Sequence, residues 1–140
     1  MTRATTFHLI DDDEVYLFIT SKILEAISPN VKIQTFQDGE LAINYFKGIE
    51  GNSSDFPDII LLDLNMPFLD GWGFLKELKT LYPGIEKRIK IYVVTSSDRE
   101  DDLGLATEFN ELSGYYVKPI KKDELETLFR EIVDSNLESN

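Results

Sequence analysis

The chain has no cysteine and a single histidine among its 140 residues. Without cysteine there are no disulfides, no zinc–thiolate sites and no thiol nucleophile. The one histidine, His8, lies inside an apolar stretch two residues before its end and reads as a core or edge histidine; phosphohistidine chemistry on this chain would have to use it. Basic residues are also scarce, 14 Lys and Arg against 26 Asp and Glu, for a formal net charge of -12. That excludes the basic face on which electrostatic nucleic-acid binding depends. It suits a site that gathers a divalent cation, although most of the acidic residues serve solubility. No apolar run approaches the roughly 20 residues of a membrane helix, and Met1 to Thr6 contain no signal-like apolar stretch. The chain reads as cytoplasmic, with no nucleic-acid or membrane partner.

What remains is ordinary for a globular protein, 42% hydrophobic and 29% charged. The length suits one domain spanning 1–140, with a core from about residue 5 to 137 and no output domain after it. Strand-like and helix-like segments alternate. Phe7–Ile10 reads as a short buried strand. Glu14–Ile27 carries Val15, Phe18, Ile19, Ile23, Leu24 and Ile27 at helical spacing, and Ser28-Pro29-Asn30 ends it. Val31–Phe36 alternates and reads as a half-exposed edge strand. Asp38 caps a helix over Gly39–Lys47 with a stripe of Leu41, Ala42, Tyr45 and Phe46. A polar loop, 48–58, leads to Ile59–Leu62, apolar throughout and so a central strand.

Trp72–Leu81 reads as a helix and Ile89–Val94 as a second central strand. Ser97-Asp98-Arg99-Glu100 is a capping-box pattern opening a helix to about Leu112. Gly114 precedes the last strand, and Lys121–Leu137 forms the last helix, with Leu125, Leu128, Phe129, Ile132 and Val133 inward. Five strands alternating with five helices imply an α/β fold, a parallel sheet covered on both faces in three layers.

The chemistry sits where strands end. Ile59-Ile60-Leu61-Leu62 runs into Asp63, and a carboxylate at the end of a buried strand is costly unless something uses it. The first strand ends in Asp11-Asp12-Asp13, the fourth in Thr95-Ser96, the fifth in Lys118-Pro119. Such ends converge in parallel α/β folds. Asp11, Asp12 and Asp63 supply oxygens for Mg²⁺, and Asn65 can add its backbone carbonyl; Asn65 reads equally well as a turn residue, and Asp13 as a helix cap. Crowded carboxylates raise one another's pKa, and a cation relieves this. Asp63 as nucleophile would form an acyl phosphate, with the Lys118 ammonium and Thr95 hydroxyl on the phosphoryl oxygens.

These motifs, Leu9-Ile10-Asp11-Asp12, Leu62-Asp63-Leu64-Asn65-Met66-Pro67 with Asp70-Gly71, Val94-Thr95-Ser96 and Tyr115-Tyr116-Val117-Lys118-Pro119, occur in an order and spacing that resembles the receiver domains of two-component response regulators, and most closely single-domain, chemotaxis-type members. The resemblance implies a doubly wound, flavodoxin-like sheet of order 2-1-3-4-5. It implies Asp63 as phosphoacceptor, Asp12 as direct Mg²⁺ ligand with Asp11 acting through water, Asn65 ligating through its carbonyl, and Thr95 and Lys118 on the phosphoryl group. It also implies a cis Lys118-Pro119 bond and Tyr115 as a switch aromatic that turns inward as Thr95 moves toward the phosphate.

The function implied is a signalling switch. A sensor histidine kinase or histidine phosphotransfer protein phosphorylates Asp63, and a downstream protein reads a face made by 98–112, 115–117 and the last helix. The chain would then be no enzyme beyond its own phosphorylation and dephosphorylation, a monomer or a weak phosphorylation-linked homodimer. A phosphohydrolase resembling the haloacid dehalogenases is the alternative; it needs a second carboxylate two residues after its nucleophile, where this chain has Asn65. A binding module that is never phosphorylated would have no use for the full set of Asp11, Asp12, Asp63, Thr95 and Lys118. The loops 48–58 and 82–88 look extended and bear on partner choice.

Overall fold

Four consecutive apolar residues leave a strand no polar face, so Ile59–Leu62 must be covered on both sides. In the computed structural model, which describes residues 4–96 and 112–138 (side chains in the last helix as far as Ile132), all four are buried. The strands are β1 (Thr5–Ile10), β2 (Val31–Phe36), β3 (Ile59–Leu62), β4 (Lys90–Thr95) and β5 (Leu112–Val117). They form one sheet in the order β2-β1-β3-β4-β5, with every neighbouring pair parallel. The expected doubly wound order is therefore present. β2 is an edge strand with alternating exposure, as its sequence indicated.

The described helices are α1 (Glu14–Ile27), α2 (Gly39–Gly48), α3 (Gly71–Leu81) and α4 (Lys122–Glu138). The fifth expected helix falls on 97–111, outside the described residues. Its expected end at about Leu112 is corrected: Leu112 already pairs with Ile91 as the first residue of β5, and Gly114 lies within the strand rather than before it. A side chain at Gly114 would meet the Tyr92 ring at 2.9 Å, which accounts for a glycine there.

An aspartate opens each of the first three helices. Asp13 accepts from the amides of Val15 and Tyr16, Asp38 from Leu41 and Asp70 from Gly73. Each satisfies amides that the first helical turn leaves without partners. The helices cover two cores. On one face Phe7, Leu9, Ile59, Leu61 and Val94 pack with Leu17 and Leu24 of α1 and Leu125 and Leu128 of α4. On the other, Ile10, Ile60, Leu62 and Ile91 pack with Ile43 and Phe46 of α2 and Phe74 and Leu78 of α3. His8 belongs to the second face, fully buried among Phe36, Tyr45 and Phe46.

Two apolar stripes differ from the periodicity. Val15, Phe18 and Ile19 of α1 are exposed at 67, 63 and 51%, while Leu17, Thr20 and Leu24 are buried. α1 is apolar on two sides, and the cap at Asp13 together with the strand end at Asp11 fixes which side meets the sheet. In α2, Leu41 is exposed and Ile43 buried.

The two extended loops hold each other. The Tyr82 hydroxyl donates to the Phe46 carbonyl and accepts from the Gly51 amide, the Tyr45 hydroxyl donates to the Asp55 carbonyl, and the Phe56 and Tyr82 rings meet edge to face.

Candidate functional site

Strand order reverses between β1 and β3, and the chain leaves both strands there with acidic residues. Ile10 and Leu62 are register partners, and the Asp63 amide donates to the Ile10 carbonyl at 2.9 Å. The Asp11 amide donates to Phe36 on the other neighbour. Backbone pairing thus continues one residue past each strand and fixes two carboxylates side by side. Both are buried, at 1% exposure for Asp11 and 5% for Asp63, while Asp12 points to solvent. Oxygens of Asp11, Asp12 and Asp63 lie within 4.8 Å of one another.

Lys118 closes the site from β5. Its amide donates to the Thr95 carbonyl at 2.8 Å, and its peptide bond to Pro119 is cis. The ammonium lies 2.5 Å from Asp11 Oδ2 and 3.7 Å from Asp63 Oδ2. Asp63 Oδ1 accepts from the Leu64 amide, so Oδ2 is the oxygen turned toward the lysine. Thr95 is fully buried at the end of β4. Tyr115 is half-buried and pairs with Val93, so that by strand alternation it shares a sheet face with Thr95. Asn65 is exposed on the loop that follows Asp63.

The electrostatics are those of a site short of positive charge. Burial, and after it the neighbouring Asp11 charge, pushes Asp63 up to about 6. Burial also raises Asp11, outweighing the pull of Lys118. Oxygen-only donors, two of them desolvated and mutually repelling, fit a hard dication and not a zinc or copper site. Asp11, Asp12 and Asp63 are the residues that would hold it.

Two neighbours of the site escaped the sequence reading. The Tyr16 ring lies under the Lys118 ammonium, 4.4 Å from Nζ to the ring centroid. No local pattern signals it, since Tyr16 lies in the first turns of α1 and Lys118 just past β5. Phe68 sits at φ 67 in a three-residue turn closed by the Leu69 amide on the Pro67 carbonyl, with its side chain 86% exposed. An aromatic residue in the left-handed region is strained.

The response regulator receiver domain family matches residues 7–130. The chain belongs to this family. Among curated receivers and regulators it is 28% identical to the probable methanogenesis regulatory protein FilR2 of Methanothrix harundinacea, over 89% of this chain and 78% of that protein. It is 32% identical to response regulator Rcp1 of Synechocystis sp., over 68% of this chain and 64% of that one. The chain spans less than half of three other curated relatives, 44, 35 and 47% of their lengths. Among solved structures, a two-component response regulator from Cytophaga hutchinsonii superposes with a TM-score of 0.82 at 25% identity, covering 95% of this chain and 99% of that one. The Mn²⁺-bound form of Rcp1 gives 0.71 at 26% identity, over 91% of each chain. Among the described residues of this receiver no helix is long and apolar enough to cross a membrane.

Proposed function

We propose that this receiver accepts a phosphoryl group on Asp63 from a phosphohistidine of a sensor kinase or phosphotransfer protein, and that the acyl phosphate changes a protein-binding face. The observation that carries the reading is the pairing of a buried Asp63 carboxylate with a lysine ammonium and a second buried carboxylate at the strand-order reversal. With its pKa near 6, Asp63 is largely ionised at neutral pH and available as a nucleophile. Asp63 Oδ2 attacks phosphorus, the phosphorus–nitrogen bond to the donor imidazole breaks, and the electron pair returns to that nitrogen. Lys118 and Thr95 bind the equatorial oxygens. Asp11, Asp12, Asp63 and the Asn65 carbonyl would hold Mg²⁺, which when bound would neutralise phosphoryl charge.

The signal leaves through Thr95 and Tyr115. Engagement of Thr95 by the phosphoryl group favours an inward Tyr115, a shift between two pre-existing packings. The face that reads it includes Tyr115 to Val117 and α4, where Val117 is already exposed.

The test is phosphorylation by acetyl phosphate with and without Mg²⁺, read by intact mass, beside Asp63→Asn. A Mg²⁺-dependent gain of one phosphoryl group that the variant lacks is the expected result. Incorporation that persists in Asp63→Asn would move the acceptor elsewhere.

A further inference from the structure

We infer that Tyr16 is a positioning residue for the phosphoryl site: the face of its ring holds the Lys118 ammonium between Asp11 and Asp63. The role rests on the reading of Asp63 as phosphoacceptor. A lysine reaches its site on four rotatable bonds, and its ammonium is a compact charge that takes any geometry its neighbours allow. Here the neighbours on two sides are carboxylates, Asp11 Oδ2 at 2.5 Å and Asp63 Oδ2 at 3.7 Å. The third is the Tyr16 ring, with its centroid 4.4 Å from Nζ, and the lysine side chain is left only 17% exposed.

The unequal distances show the problem that the ring answers. Asp11 draws the ammonium away from the residue it is to serve. Both carboxylates are also the groups that a divalent cation, a proton or a phosphoryl group would occupy, so the attraction of each for Lys118 changes with the state of the site. Among the described partners of Lys118, the ring is the one whose attraction does not. It carries no charge, it competes with neither carboxylate for a cation, and burial together with nearby carboxylates disfavours its ionisation. A π face near 4 Å is the distance at which a cation is attracted and water excluded. Tyr16 therefore keeps Lys118 within reach of Asp63 while the electrostatic partners change.

The hydroxyl is not the working part. It is buried beside Thr20 and makes no well-aligned hydrogen bond. Its apolar surroundings are those of the α1–α4 core, against which Tyr16 packs.

The experiment compares wild type with Tyr16→Phe, Tyr16→Leu and Tyr16→Met, the last an unbranched side chain of closer volume should leucine impair folding. The first readout needs no phosphorylation. In protein labelled with ¹³C-lysine, the Lys118 ε-methylene protons are shifted upfield by the ring in wild type and in Tyr16→Phe, and return toward free-lysine values in Tyr16→Leu and Tyr16→Met. The second is the rate of phosphorylation by acetyl phosphate in saturating Mg²⁺. It falls about 5- to 30-fold in the leucine and methionine variants, the span from the strongest exposed cation–π contacts to a desolvated one, and stays near wild type in Tyr16→Phe. In a Lys118→Met background, removing the ring produces no further loss, because the two act as one unit.

Unchanged rates in both ring-less variants would overturn the role, as would a lysine shift that ignores the ring. A Tyr16→Phe rate as low as that of Tyr16→Leu would give the function to the hydroxyl instead. A further loss on removing the ring in the Lys118→Met background would make Tyr16 merely structural. Wild-type protein that takes up no phosphoryl group would sink the phosphoacceptor reading itself, and this role with it. Normal wild-type uptake beside normal ring-less variants sinks the Tyr16 role alone.

Discussion

Asp63 and His8 are buried titratable groups on adjacent strands, and pH acts on them in opposite senses. Burial lowers His8 to about 4 from an ordinary 6.5, so between those values the unfolded chain binds the proton that the folded one refuses. Stability contributed by His8 is lost as pH falls through that window. Asp63 runs the other way. Its folded value is near 6 against an ordinary 3.8, so the folded protein binds the extra proton and the cost of its charge is felt in full above pH 6. Between pH 4 and 6 the two slopes oppose each other. Asp63→Asn removes one of them. In metal-free buffer the variant is expected to be about 2 kcal/mol more stable than wild type at pH 7.5 by urea denaturation, with most of that gain gone at pH 4. Equal stability at pH 7.5 would contradict a strained carboxylate. Phe68 holds a different kind of strain, in its backbone. Phe68→Gly permits the same φ without a side-chain clash, and a rise in stability of about 0.5–1 kcal/mol is expected in the same assay.

At the scale of elements, the sequence was informative where one residue type filled a whole segment. β3 has no polar residue, so its central place could be read directly, and with it the cost of the Asp63 carboxylate that follows its last residue. The order of the strand-end motifs carried the rest of the site, since Asp11, Asp63 and Lys118 do come together. α1 was less legible. Its apolar residues lie on two sides, and periodicity gave no means of telling the side that meets the sheet from the side with Val15, Phe18 and Ile19. The Tyr16–Lys118 contact joins residues a hundred positions apart, which no local pattern encodes. The start of α3 shows how closely elements hold the site. A methyl group at Gly71 would lie 2.5 Å from the Asp63 carbonyl oxygen and 2.9 Å from the Leu64 Cα, backbone atoms with no freedom to retreat. Gly71→Ala is therefore expected to cost about 1–3 kcal/mol and to slow acetyl-phosphate uptake by displacing Asp63. Asp13→Ala removes only the α1 cap, for about 1 kcal/mol, and should leave uptake much closer to wild type. Comparable kinetic losses in the two variants would show that general destabilisation, and not the position of Asp63, sets the rate.

For the molecule as a whole, a net charge of -12 is an energy term spread over the surface, concentrated at one point by three carboxylates. A dication can stabilise such a protein in two ways, by screening everywhere or by binding at that point, and the two are separable. Specific binding raises stability by about 2.7 kcal/mol at a concentration one hundred times the dissociation constant. For a domain of this size that is a rise in Tm of roughly 3 °C for each kcal/mol. Screening depends on ionic strength and is reproduced by NaCl. Asp12 allows the test, because it is the exposed member of the acidic set and its loss disturbs no buried packing. With ionic strength held constant, Mg²⁺ is expected to raise the Tm of wild type by several degrees and that of Asp12→Ala by far less, while NaCl moves both alike. If Mg²⁺ shifts wild type and Asp12→Ala equally, its effect belongs to the surface charge, and the acidic cluster has no claim to the cation.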